Sequence, residues 1–135
     1  MTAVSLPADL RAQILCQAQA AGGGECCGLV EGRRDGDHFR ILGLYPARNL
    51  AAASDRFEID PLDHLAAVKK ARANGCALIG CYHSHPNGQA EPSATDLAGA
   101  GEEDFLWLIA AGERLNAFVY RGGRFTGAEW VTSSE

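Results

Sequence analysis

The chain has 135 residues and a mass of 14.3 kDa, with 47% hydrophobic and 21% charged residues; this is one globular domain's worth of sequence and excludes a disordered chain. Twelve basic residues against seventeen acidic ones leave a net charge of −5 at pH 7. A nucleic-acid surface needs concentrated positive charge, and no basic cluster is longer than Lys69-Lys70 or Arg33-Arg34, so nucleic acid is not an expected partner.

The first helix is expected over Pro7–Ala21, with Pro7 at an early helical position, Leu10, Ile14 and Leu15 on one side, and Gly22-Gly23-Gly24 as its stop. Asp9 and Arg11 interrupt the opening stretch, so it does not read as a secretory signal. No apolar run approaches the ~20 residues of a membrane span. A strand over Cys26–Glu31, a turn over Gly32–Asp37 and a return strand over Phe39–Tyr45 make a hairpin. Asn49–Asp55 reads as a loop and Phe57–Ile59 as a brief strand. Asp60 as N-cap and Pro61 at the first position open a second helix that stops at Asn74-Gly75. Ala77–Tyr82 is a central strand, and His83–Pro92 is loop, punctuated by Pro86-Asn87-Gly88. Ser93-Ala94-Thr95-Asp96 has capping-box spacing, with Asp for the usual Glu, and opens a short helix to about Ala100. Three strands follow: Phe105–Ala110, Ala117–Arg121 and Phe125–Val131. The order predicts an α+β fold, a mixed sheet flanked by helices in a single domain over residues 1–135.

The five cysteines (Cys16, Cys26, Cys27, Cys76 and Cys81) include no Cys-x-x-Cys pair. They read as reduced thiols packed as small buried hydrophobes in a cytoplasmic protein. Trp107 and Trp130 are assigned to the core, and His38 and His64 to the surface.

His83 and His85, two apart at a strand end, project to one face, and Asp96 sits one turn inside the helix that starts at Ser93. Two imidazoles and a carboxylate make a catalytic zinc set: three protein ligands and a fourth position for water, where a structural site would take four. Capping competes with ligation for Asp96, because one carboxylate does not easily do both. Peptide hydrolysis also needs a group to take and return a proton. Glu25, just before the first strand, is the candidate, although other Asp and Glu residues stay open on residue pattern alone. Cys81 continues the 81, 83, 85 series, and a thiolate there would close the site; core packing is the expectation.

His83-Ser84-His85-Pro86 followed by Ser93-x-x-Asp96, with Glu25-Cys26-Cys27-Gly28 upstream, resembles the JAMM (MPN-plus) metalloprotease family. The resemblance covers nearly the whole chain, including Asn49, Phe57-x-Ile59-Asp60-Pro61 and Gly80-x-Tyr82. It implies a cytidine-deaminase-like mixed sheet, one zinc on His83, His85 and Asp96, Glu25 as general acid/base, and Ser93 helping to hold the water or the oxyanion. Gly23-Gly24 stands where relatives often carry His-Pro, which leaves the loop path ahead of Glu25 open. The implied reaction is hydrolysis after the C-terminal Gly-Gly of a ubiquitin-like protein. The small chain is similar to prokaryotic members that trim sulfur-carrier β-grasp proteins, whose tail would bind by adding to a sheet edge. The alternatives are a broader isopeptidase and a non-catalytic module that binds a ubiquitin-like partner. Cytidine deaminase chemistry is disfavoured, because its H-x-E and P-C-x-x-C elements are absent.

Overall fold

Strand β5 (Phe105–Ala111) is apolar along its whole length and buried from Leu106 onward, the pattern of a strand covered on both faces. A computed structural model gives the structure around it and describes residues 1–51 and 55–132, so the expected 49–55 loop lies partly outside the described residues. In chain order the elements are β1 (Ala3–Ser5), α1 (Ala8–Ala20), β2 (Cys27–Asp35), β3 (His38–Ala47), α2 (Pro61–Ala73), β4 (Ala77–Ser84), α3 (Ala94–Gly99), β5, β6 (Arg114–Arg121), β7 (Arg124–Gly127) and β8 (Glu129–Val131). The strands form one sheet in the order β7-β6-β5-β4-β2-β3-β1-β8. β4 runs parallel to β5, and β1 runs parallel to β3 and β8; the remaining pairs are antiparallel. None of the described helices is long and apolar enough to cross a membrane.

The α+β mixed sheet is as expected, and the differences lie in register and ends. β1 has three residues and no sequence signal of its own; it exists through pairing with β3 and β8. The β2–β3 hairpin is longer than expected, because the turn contracts around Gly36, whose φ of 62° suits glycine. Phe57–Ile59 is no strand: it contributes one antiparallel bridge, Asn49 to Ile59. The expected Phe125–Val131 strand breaks at Ala128 into β7 and β8, which pair at opposite ends of the sheet. The sheet therefore curls until its two ends meet. Ala128 N donates to Ala117 O and Glu129 N to Thr2 O across that seam. Trp130 sits there as well, 38% exposed with its indole N–H on the Leu115 carbonyl, and not in the core.

Two apolar layers cover the sheet. On one face Ile14 of α1 packs with Val4, Phe39, Tyr82, Leu106 and Leu108. On the other Ala67 of α2 packs with Leu29, Cys81 and Trp107. Leu62 and Leu65 of α2 stay exposed, since that helix approaches through Ala67 and Ala71. Of the cysteines, Cys27 and Cys81 are buried, whereas Cys16 is exposed on α1 and Cys26 and Cys76 are half-buried; packing as small hydrophobes describes only two of the five.

Register decides which face each β4 side chain takes. Val30 pairs with Gly80 but Glu31 with Leu78, so Ile79 is an extra residue and the strand bulges there. Beyond the bulge Tyr82 enters the α1 layer, where its hydroxyl donates to Gln17, and Cys81 enters the α2 layer. Two glycines make room for these contacts. A Cβ on Gly28 would lie 2.3 Å from the Tyr82 ring, and one on Gly80 would lie 2.3 Å from the Leu106 carbonyl oxygen. The second obstacle is backbone and cannot rotate away. Gly80→Ala should therefore destabilise the protein by about 3 kcal/mol, the upper end for overpacking, as read by urea denaturation.

Candidate active site

The end of β4 delivers His83, the last residue but one of the strand, and the chain stays extended long enough for His85 N to donate to the Ala110 carbonyl of β5. The loop expected from His83 onward thus begins two residues later. Both imidazoles are buried, as is Asp96 in the first turn of α3. The Nε2 atoms of His83 and His85 are 3.0 Å apart, and each lies close to Asp96 Oδ2, at 3.2 and 3.1 Å.

Capping and a close approach to the histidines coexist at Asp96. The Ser93 N–H donates to Oδ2 and the Asp96 N–H donates to Ser93 Oγ, both at 3.0 Å, completing the capping box. A carboxylate offers about four lone-pair sites, so the cap uses one and leaves the rest facing the rings. The cap is what holds the carboxylate in place. Ser93 keeps its own hydroxyl proton free.

Each ring is oriented differently. His85 Nδ1 lies 2.8 Å from the Gln89 carbonyl oxygen, which only accepts, so Nδ1 carries a proton and Nε2 of the neutral ring is bare. His83 Nδ1 has no hydrogen-bond partner; that ring is instead stacked on Phe57, centroids 4.3 Å apart and planes 23° from parallel, with the Trp107 ring edge-on at 5.6 Å. Nothing in the sequence pattern gives Phe57, Gln89 or Ser84 a role of its own. Only the position of Ser84 between two histidines hints at one.

Glu25 comes to the same place. Its carboxylate lies with the two imidazoles in a group whose ligand atoms fall within 4.8 Å of one another. It is buried, and Oε1 has no partner. The loop carrying it is fastened on its C-terminal side: Cys26 N donates to Ser84 Oγ at 2.9 Å, and Ser84 N donates back to Cys26 O at 3.1 Å. Cys81 is not part of the group; it sits in the α2 layer, where burial pushes its thiol well above the ordinary range.

The electrostatics follow from this crowding. Burial pushes Glu25 up to about 7 against the pull of His85, with Asp96 and Asp55 adding to the rise. Burial would raise Asp96 too, but the neighbouring His83 and His85 rings and the Ser93 amide hold it well below the usual carboxylate range. Burial depresses His83. It also works against His85, whose bonds to Asp96 and Gln89 nevertheless leave it raised.

The donor set fits a small cation. A bare Nε2 and a carboxylate oxygen 3.1 Å apart repel unless a proton or a metal lies between them. A tetrahedral zinc with donors at 2.0–2.1 Å holds them about 3.3 Å apart, and the His83–His85–Asp96 triangle has edges of 3.0 to 3.2 Å. Glu25 also stands within ligand reach of the two imidazoles, with an oxygen that no hydrogen bond pins. Two clefts open beside the site. One of about 770 Å³ is walled by α1, Gly24 and His85, and one of about 280 Å³ by Phe57, Ile59, Trp107 and Asp96.

A curled mixed sheet with this histidine–aspartate cluster at the end of its central strand β4 defines a JAB-type domain. Residues 7–121 match the family of prokaryotic homologs of the JAB domain, and the chain belongs to it. It is 32% identical over 133 residues to a desampylase of Haloferax volcanii, spanning 95% of this chain and 88% of the relative. It is 35% identical over 89 residues to a probable TtuB-protein conjugate cleaving protease of Thermus thermophilus, spanning 66% of this chain and 55% of that one. A protein of Desulfitobacterium hafniense solved in solution superposes with a TM-score of 0.87 at 32% identity, covering 98% and 94% of the two chains.

Zinc titration of the metal-free protein against a chromophoric chelator separates the ligands from their neighbours. His85→Ala should lose more than about 100-fold in affinity, beyond what loss of an outer-shell partner costs. Cys81→Ala should bind as the wild type does.

Proposed function

We propose that residues 1–135 act as one zinc peptidase domain that cleaves the peptide or isopeptide bond after the C-terminal Gly-Gly of a ubiquitin-like, sulfur-carrier β-grasp protein. The observation that carries this reading is the buried, unpartnered Glu25 carboxylate beside two imidazoles that a capped aspartate holds together. A conjugate as substrate is supported by relatives named for desampylation and for cleaving protein conjugates. The five free cysteines suit a reducing, cytoplasmic setting.

His83, His85 and Asp96 would hold the ion, which when bound polarises a carbonyl oxygen and makes water acidic near neutral pH. Glu25 takes a proton from the attacking water as the new C–O bond forms. It returns that proton to the nitrogen as the C–N bond breaks, so the carboxylate ends as it began. Burial works against the charged form of this carboxylate, which favours a group that takes a proton up and gives it back. Ser93 Oγ accepts the Asp96 amide, which leaves its hydroxyl proton to donate to the oxygen that becomes negative.

The tail has a place to lie. Residues 48–50 and 58–60 form a short ribbon in which Leu50 N donates to Glu58 O and Asp60 N to Arg48 O. Those bonds use the groups on either side of Ile59, so the Ile59 N–H and C=O turn outward beside the smaller cleft. An extended Gly-Gly tail adds to that edge as a strand.

The test is intact mass spectrometry of a β-grasp carrier with residues beyond Gly-Gly, and of the same carrier joined to a lysine. Each is incubated with zinc-loaded enzyme and with Glu25→Gln. The wild type should leave a carrier ending at Gly-Gly. Glu25→Gln should keep its metal and lose about 10²–10⁴-fold in rate. An unchanged rate in that variant would put the base elsewhere, and intact substrates throughout would leave a binding module.

A further inference from the structure

We infer that Asn49 is the positioning residue that sets Glu25 over the histidine pair. The chain ahead of Glu25 has little stiffness of its own. Gly22, Gly23 and Gly24 precede it, Gly22 sits at a φ of 61°, and nothing approaches within 4 Å of where a Cβ on Gly22 or Gly23 would stand. Such a segment does not fix the direction of the residues after it. Glu25 is itself buried, yet its carboxylate oxygen Oε1 finds no partner to hold it. Its placement therefore comes from its backbone, through Ser84 on Cys26 and through one contact on Glu25 itself.

That contact is Asn49 Nδ2 donating to the Glu25 carbonyl at 3.0 Å. The rest of the Asn49 side chain is equally committed. Nδ2 also reaches the Arg56 carbonyl at 3.5 Å, and Oδ1 accepts the Ala51 and Glu58 amides, both at 2.9 Å. All four hydrogen-bonding positions of the amide are filled by main chain. The segment it grips, 56–58, carries Phe57, whose ring lies on His83. One side chain thus locks the Glu25 loop to the segment that orients a histidine. The two groups that must stay in register keep their spacing through it.

This rests on the reading of Glu25 as proton carrier, and the experiment separates the two. Asn49→Asp keeps an oxygen for the Ala51 and Glu58 amides and turns the bond to the Glu25 carbonyl into an oxygen–oxygen contact. Asn49→Ser withdraws the whole amide and gives a second route to the same loss should the first variant fold poorly. Arg121→Ala is the structural comparison. It removes the ion pairs with Asp37 and Asp104 and the hydrogen bond to Thr2, and it touches neither the 48–60 ribbon nor Glu25.

On a carrier extended past Gly-Gly, either Asn49 variant should lose about 10- to 100-fold in kcat, the cost of an ångström-scale misplacement. In Asn49→Asp, which keeps the ribbon amides bonded, KM should stay as in the wild type; zinc affinity by chelator competition and the folded fraction at assay temperature should stay so in both variants. Arg121→Ala should lower the unfolding midpoint and keep kcat. Full kcat in a folded Asn49 variant overturns the inference, as does an equal kcat loss in Arg121→Ala. Activity retained in Glu25→Gln instead overturns the reading beneath it.

Discussion

Two imidazole nitrogens and a carboxylate oxygen cannot rest about 3 Å apart inside a protein unless a proton or a cation lies among them. His83, His85 and Asp96 are in that position, and much of the surrounding structure exists to keep them there. Left to itself Asp96 would swing toward water. The Ser93 cap prevents this by binding the carboxylate to the start of its own helix. The short α3 helix is thus a holder for one side chain, and its six residues are enough for that task.

The two histidines are held by different physics. A single carbonyl, that of Gln89, fixes the tautomer and direction of His85. Packing fixes His83, through Phe57 on its face and Trp107 at its edge. The aromatic pair also walls the smaller cleft, so the rings that align His83 also line the open space beside it. Hydrogen bonding places one ring firmly from the loop side, and the apolar layer places the other from the sheet side.

The local chemistry could be read from the sequence, but the long-range geometry could not. The α1 and α2 helices, the Asp60 cap, the capping box at Ser93 and the histidine spacing are signals within a few residues of one another, and each is where those signals put it. The bulge at Ile79 left no such mark, yet it decides that Cys81 faces α2 and Tyr82 faces α1. β1 and the break at Ala128 are equally silent, because β1 and β8 are three-residue strands that find each other across almost the whole chain. The same limit left Asn49 and Ser84 as residues of the resemblance with no contact assigned to either. An asparagine in a loop announces a turn, and only the fold shows that its amide reaches a glutamate carbonyl across 24 positions.

The seam between β1 and β8 ties folding to the timing of synthesis. β1 is made well before β8, and in the finished sheet they lie side by side. Domains fold as they leave the ribosome, at roughly 5–20 residues per second. For several seconds of synthesis, then, the growing chain holds its histidines and its glutamate but lacks the strand that draws the two ends of the sheet together. A nascent copy in that state is an open sheet with an unpaired border, prone to join whatever strand it meets. Sheet closure therefore comes after both segments of the site have been made.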